Sequence, residues 1–578
     1  MFRKFSLKCY SNVMISEKIQ RVIQTAVAGL GMEAGKIVLE HPGELSHGDY
    51  ATNIAMAIAK VAGVKPKDLA EKIATAIRAQ NIPEIAKVEI AGPGFINFHL
   101  SQAFLVSEIS EIVSDGKEYG LNKTLSGKMV MIEYTSPNLF KPLHIGNLVG
   151  NILGESLSRL LIASGAEVKR INYPSDIGLT VAKGVWGLQK TGGNPKDIKA
   201  LGEAYRVGNT AYDEAGDEKK EIEIINKALY EDSNSVLTAL RKEGIATSLA
   251  HLEVLCKKLG TKFDTQFFES QSAPLGRDIV LENTGHGIFE KSDGAVVYKG
   301  EVDGLHTRVF LNSQGLPTYE AKEVGLFKLK SVAYPHFDTS ITVTGNEQLD
   351  FFRVVFTAIQ KVFKDETKGK VLRHVPNGFL TLTTGKMSSR KGNVITGESL
   401  IETVQELVRE KVKDRGFDVG ATEAVAEAVA IGAIKYSILR QQMGSNIIFD
   451  FEKSLSFEGD SGPYLQYTTV RAKTVLGKAK ALGLLTSTEN TPKATGELER
   501  IIYRFPEVLL RATQDYAPHL LVTFAIELSA SFNAFYANQT IIDEKDPESP
   551  YRLAITSAVV SVLEQCLQVL AIPLPEKM

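Results

Sequence analysis

Cysteine is scarce: the 578 residues hold three, Cys9, Cys256 and Cys566, all far apart. That excludes a disulfide framework and the paired spacing of a structural zinc site, so no metal is expected, and it fits a reducing compartment. Net charge is also nearly absent, −2 from 66 basic and 68 acidic side chains. A polyanionic partner has to be met by local basic patches, because the chain has no global field to attract one. No unbroken apolar run reaches the length of a bilayer span, which speaks against membrane insertion, and no fixed-period repeat marks a solenoid. Acidic residues are missing before Glu17, and the opening "MFRKFSLKCYSNVM" reads either as a short organellar presequence or as an extension ahead of a start at Met14. The expectation is a cytoplasmic monomer without membrane attachment.

What is present is length and a globular composition, 44% apolar and 23% charged, enough for several cores. Three blocks follow. Residues 14–105 alternate helical segments (SEKIQRVIQTAVAGLG, NIAMAIAKVAG, KDLAEKIATAIRA) with strand-like ones (KIVLE, KVEI, FINFHL), an α+β module. Residues 125–396 carry VMIEYT, VKRINY, RVFLN, SITVTG and VLRHV between helical or mixed segments, the order of an α/β parallel sheet, with a charged helical insertion over about 182–290. Residues 397–578 are almost wholly helical, with apolar residues at three and four spacing.

"SPNLFKPLHIGN", residues 136–147, stands where a β-branched run hands over to a long amphipathic stretch. A strand, a loop and a helix start near Ile145 place free backbone N–H groups and the positive helix end at the loop, a site for phosphate. His144 and Asn147, three apart, can face the same anion, and Gly146 lets a ligand approach the backbone. The alternative is a plain helix start. "GKMSSRKGN" adds Lys386, Arg390 and Lys391 in a glycine-flanked loop with two serines. Such a loop suits closure on a triphosphate as its charge shifts during transfer.

Together these stretches resemble the class I aminoacyl-tRNA synthetases. His144-Ile145-Gly146-Asn147 corresponds to the HIGH motif, and Lys386-Met387-Ser388-Ser389-Arg390 to the KMSKS motif. "EYTSPNLFKPLHIGN", "GDYATNIAMAIAK", "AGPGFINFHL", "LPTYEAKEVGL", "TVTGNEQ", "GPYLQYTTVRA" and "SFNAFYANQ" extend the similarity to the arginyl-tRNA synthetases over nearly the whole chain. The resemblance implies an α/β fold: a Rossmann-like catalytic domain, an N-terminal α+β module that contacts tRNA and a C-terminal all-α anticodon-binding domain. It implies ATP, with Mg2+, as substrate for activating L-arginine to arginyl-adenylate, then transfer to tRNA(Arg).

By the same resemblance His144, Gly146, Asn147, Lys386, Met387, Ser388 and Ser389 hold ATP, with Lys141 and Arg390 adding catalytic charge. Glu133, Ser136, Asn138 and Gln348 hold the ends of arginine, and Glu269, Tyr319 and Glu323 its guanidinium, a group best met by charge-assisted bidentate bonds. Tyr319 and Glu323, four apart, share one helix face. Tyr464, Tyr467 and Arg471 would meet tRNA by stacking or pairing; the other reading of such a stripe is bundle core.

The chain departs from the pattern in four places: Asn147 for the second histidine, Glu323 for aspartate, Arg390 for lysine and Thr469 for histidine. A donor lost from a preorganised anion site costs on the order of 3 kcal/mol in the transition state. Asn147 therefore supports a second reading, a synthetase-like RNA-binding or arginine-sensing protein with weak catalysis. A small nucleotidyltransferase of the HxGH superfamily is the third, and chain length argues against it.

Overall fold

The computed structural model describes residues 14–214, 216–383, 396–413 and 418–578. They divide into two compact units.

The first unit takes the chain up to Leu121 together with 468–511 and 524–565. Its sheet has three antiparallel strands, β1 (Tyr50–Thr52), β2 (Ile85–Ala91) and β3 (Phe95–Leu100), in the order β1-β3-β2. Helices Ile15–Gly29, Ile54–Ala62 and Pro66–Arg78 supply Ile19, Ile23, Ala55, Ile73 and Ala74 to a common core with Ile96 and Phe98. KIVLE, expected as a strand, contributes only the bridge Glu40↔Ala51. Beyond that bridge to β1, its exposed Lys36 and Val38 make no ladder pairing among the described residues. Within the same unit Tyr50 donates to Glu507 at 2.6 Å and Arg500 to Asp49 at 2.7 Å.

The second unit takes 122–467, 512–523 and 566–578. Its centre is a five-stranded parallel sheet of β4 (Met129–Glu133), β5 (Glu167–Asn172), β6 (Thr265–Gln266), β10 (Thr339–Gly345) and β11 (Val371–Asn377). The order β11-β10-β4-β5-β6 reverses direction at β4, so the crevice beyond the carboxyl ends of β4 and β10 is the switch point where doubly wound sheets bind nucleotides. Helices Leu179–Thr191, Ile198–Asp213, Asp217–Glu231 and Ser235–Lys258 intervene between β5 and β6. RVFLN, expected in the parallel sheet, is β9 (Arg308–Leu311) of a separate antiparallel sheet with β7 (Glu290–Ser292) and β8 (Ala295–Tyr298). An apolar run of that length does not encode its pairing partner, and nearby Ala295–Tyr298 captures it. Helices Gly397–Val412 and Val419–Leu439, read from the sequence as part of the C-terminal block, lie in this unit.

One helix among the described residues, Pro518–Asn538, is long and apolar enough by length and composition to cross a membrane, which the sequence reading did not expect. His519 and Glu527 interrupt the run without changing its average character. Its Leu521, Val522, Phe524, Ala525, Leu528 and Phe532 are buried core residues.

Helices Glu269–Glu282 and Tyr319–Ala333 cross so closely that a Cβ at Gly276 would fall on the Ala321 carbonyl and one at Gly325 on the Ser272 carbonyl. This crossing sets Glu269 against the first turn of the second helix. Gly325→Ala should therefore destabilise the protein by about 1–3 kcal/mol through overpacking, read as a lower midpoint in urea unfolding. An unchanged midpoint would show that the helices can separate without cost.

Candidate active site

The chain leaves β4 through a strained turn. Thr135 has φ 75°, Ser136 φ 31° and Phe140 φ 66°, a region that costs a non-glycine residue of order 1–3 kcal/mol and persists only where the surroundings impose it. Here they do. Asn147 Nδ2 donates to the Thr135 carbonyl at 2.7 Å and Asn151 Nδ2 to Thr135 Oγ1 at 2.9 Å. Leu139 N bonds to Ser175 O at 3.1 Å and Ser175 N to Pro137 O at 2.9 Å. The fully buried Phe140 ring fills a slot where a Cβ at Gly184 or Gly244 would collide with it, on two helices of the insertion.

The loop delivers His144 as the N-cap of helix Ile145–Ala163. His144 Nδ1 accepts from Gly146 N at 3.1 Å, so in the neutral ring the proton sits on Nε2. Asn147 N and Leu148 N turn onto His144 O at 2.9 and 3.3 Å, so the first-turn donors that the junction was expected to leave free are largely engaged by His144 itself. Desolvation, then the charge of Lys141, holds its pKa below the usual 6.5. Asn147, expected to donate to phosphate, spends an N–H on the loop it follows. Lys141 places its ammonium 5.6 Å from the Tyr205 ring centroid.

Lys386, Met387, Ser388, Ser389 and Arg390 lie outside the described residues. Their flanks do not. Thr396 forms an antiparallel bridge with His144, Gly397 N donates to Leu143 O at 2.8 Å, and Thr383 N donates to Phe449 O at 3.1 Å. The chain that follows the second motif is thus pinned to the first.

A carboxylate cluster occupies the same edge of the sheet. Glu133, the last residue of β4, is buried and ion-paired to the equally buried Lys330. Glu269 is paired to Lys322 at 2.6 Å, also buried. The backbone that carries Glu269 is held by Asp176, which accepts from Ser270 N at 2.8 Å and from Arg241 at 2.7 Å. No hydrogen bond or ion pair to Glu323 is found among the described residues. Burial, then the charges of Glu133 and Glu269, outweigh Lys330 and push its carboxyl up to about 8. The buried Tyr173 hydroxyl is raised by burial and then by the charges of Glu269, Glu323 and Glu133. Tyr319 stands exposed on the same helix as Glu323, and Gln348 ends the short turn after β10. Ser136 Oγ reaches Glu133 Oε1 at 3.4 Å, while the Asn138 side chain is exposed.

The three residues expected at tRNA share helix Gly462–Ala481. Tyr467 packs edge-on to Phe457, and Arg471 donates to Asn533 at 2.6 Å and lies over the Tyr536 ring. Tyr464 is partly exposed and Thr469 buried. Reading the sequence missed the lysines on Glu133 and Glu269, the Phe140 key and the Asn151 clamp. The one available signal was the run of three lysines, Lys322, Lys328 and Lys330, among the apolar residues of "AKEVGLFKLKS".

A parallel sheet with its switch point capped by a His-x-Gly helix start is a nucleotide-binding core, and its family match makes it that of a class I aminoacyl-tRNA synthetase. Residues 108–451 match the family model for class I (R) tRNA synthetase catalytic domains, 14–100 that for the arginyl tRNA synthetase N-terminal domain, and 465–578 that for the DALR anticodon-binding domain. The arginine–tRNA ligase of Borrelia turicatae is 31% identical over 84% of this chain and 86% of its own length; that of Borrelia hermsii is 29% identical over 98% and 100%. In fold, the chain is similar to the arginyl-tRNA synthetase of Thermus thermophilus, with TM-score 0.77, 24% identity, and 98% and 100% of the two chains covered. The one from Plasmodium falciparum gives 0.79, 20%, and 98% and 99%. The chain belongs to the arginyl-tRNA synthetases, and its activity is the ATP-dependent ligation of arginine to tRNA.

Removing the Asn147 amide leaves a buried carbonyl unsatisfied inside a strained turn. Asn147→Ala should cost about 1–3 kcal/mol of stability, seen as a lower Tm, together with slower aminoacylation. A loss of turnover at unchanged Tm would instead mean that Asn147 serves only the phosphates.

Proposed function

We propose that catalysis divides between the two ends of this crevice. At one end His144 Nε2, the helix start at Gly146 and Asn147, Lys141, and the loop of Lys386, Met387, Ser388, Ser389 and Arg390 hold ATP, whose Mg2+ is bound through phosphate oxygens and water. At the other, Glu133, Ser136, Asn138 and Gln348 hold the α-amino and carboxylate groups of arginine, while Glu269, Tyr319 and Glu323 take its guanidinium. The arginine carboxylate attacks the α-phosphorus and pyrophosphate departs, its charge met by the cationic loop. A ribose hydroxyl at the tRNA 3′ end then attacks the arginyl carbonyl and AMP leaves. The observation that carries this reading is Glu323, a carboxylate with no hydrogen bond or ion pair among the described residues, grouped with the lysine-paired Glu133 and Glu269.

In this reading residues 14–105 and Tyr464, Tyr467 and Arg471 of the 397–578 segment meet tRNA, and residues 125–396 carry the chemistry. The enzyme works as a cytoplasmic monomer without membrane attachment. ATP–pyrophosphate exchange with arginine, run with and without tRNA, tests the ligase assignment; no exchange under either condition would refute it.

The raised carboxyl of Glu323 sets a pH dependence. Below about 8 it holds a proton that arginine must displace, so apparent affinity for arginine rises with pH, by at most about tenfold per unit, and levels off above that value. KM for arginine measured between pH 6.5 and 8.5 should show this slope. Glu323→Gln should flatten it and raise KM more than tenfold, the loss expected when a charged partner goes. A wild-type profile already flat would remove Glu323 from the pocket.

A further inference from the structure

The helix that presents Tyr319 and Glu323 also sends a cation into their pocket. Lys322 Nζ lies 2.6 Å from Glu269 Oε2, with both side chains less than a tenth exposed. The same ammonium is 5.0 Å from the Tyr319 ring centroid and 6.0 Å from that of Tyr230, within the range of cation–π attraction. Lys330 occupies Glu133 in the same way, and Arg308 holds Glu320 at 3.2 Å. Glu133 and Glu269 are thus each matched by an ammonium group, and of the three carboxylates Glu323 is the one left to give up its proton when a cation arrives.

We propose that Lys322 is a resident counter-ion of the arginine pocket, staying on Glu269 when substrate binds so that the pocket accepts a single guanidinium, bridged between Glu323 and the other oxygen of Glu269. The inference rests on the assignment of this pocket to arginine. Two features favour a resident over a displaced lysine. Separating a buried pair strands both charges away from water, a heavy penalty that a substrate would have to overcome. Moreover, Lys322 engages one oxygen of Glu269, and no bond to Oε1 is found among the described residues, which leaves an edge for a planar fork. Lys322 is then a positioning residue: it orients Glu269 and limits the negative charge of the site.

The test is steady-state aminoacylation by the full chain with saturating tRNA. Lys322→Met should raise KM for arginine about tenfold, with kcat and KM for ATP changed less than about threefold, because the lost interaction serves arginine binding alone. Lys322→Arg should recover most of the loss. Lys322→Met/Glu269→Gln, which deletes both charges and so folds without a stranded ion, should match Glu269→Gln alone within about twofold if Lys322 acts through Glu269. A fall in KM for Lys322→Met would show that the ammonium occupies the substrate's own place, and an unchanged KM would show that it has no part in binding; either overturns the proposal. If Glu323→Gln also left KM unchanged, the failure would lie with the arginine assignment itself; a raised KM in Glu323→Gln beside a normal Lys322→Met would confine it to Lys322.

Discussion

Everything at the catalytic crevice depends on one strained turn being held in place. Thr135, Ser136 and Phe140 adopt left-handed backbone conformations that an isolated peptide would relax. The clamp works from both sides: the helix that the turn leads into sends Asn147 and Asn151 back to Thr135, and the helical insertion receives the Phe140 ring. The turn positions the helix, and the helix holds the turn. Such mutual support fixes His144 and the helix start without further reorganisation, the condition under which a site stabilises developing charge.

A second constraint shapes the carboxylate end of the crevice. Burying carboxylates is costly unless each is paired or protonated, and helix Tyr319–Ala333 answers with its own lysines for Glu133 and Glu269. Glu323, with no such pair among the described residues, is held toward its protonated form. The close crossing at Gly276 and Gly325 makes this possible, since a wider separation would move Glu269 out of reach of Lys322. Packing and electrostatics are therefore one problem here, solved by two glycines and two lysines.

Much of this was readable in the chain, in proportion to how local the signal is. The strands VMIEYT, VKRINY, SITVTG and VLRHV were legible from β-branched periodicity and form the parallel sheet. The helix start at Ile145 was legible from its junction. RVFLN was legible as a strand but not as a member of a particular sheet. The lysine pairs were not legible: Glu269 and Lys322 are 53 residues apart and Glu133 and Lys330 197 apart, and no local pattern links such positions. Asn147 shows the intermediate case, with the residue singled out and its side-chain partner unforeseen.

By itself the sequence determined the element types, the two signature motifs and the residue kinds that ATP and a guanidinium need, because short-range periodicity and motif spacing are properties of consecutive residues. Only the tertiary structure decided where those groups point. It turned Asn147 back onto Thr135, brought Thr396 to His144, and filled two of three carboxylates with lysines. Such choices arise from low-dielectric burial and close packing between segments far apart in the chain, where an unpaired charge or an unfilled slot is too costly to persist.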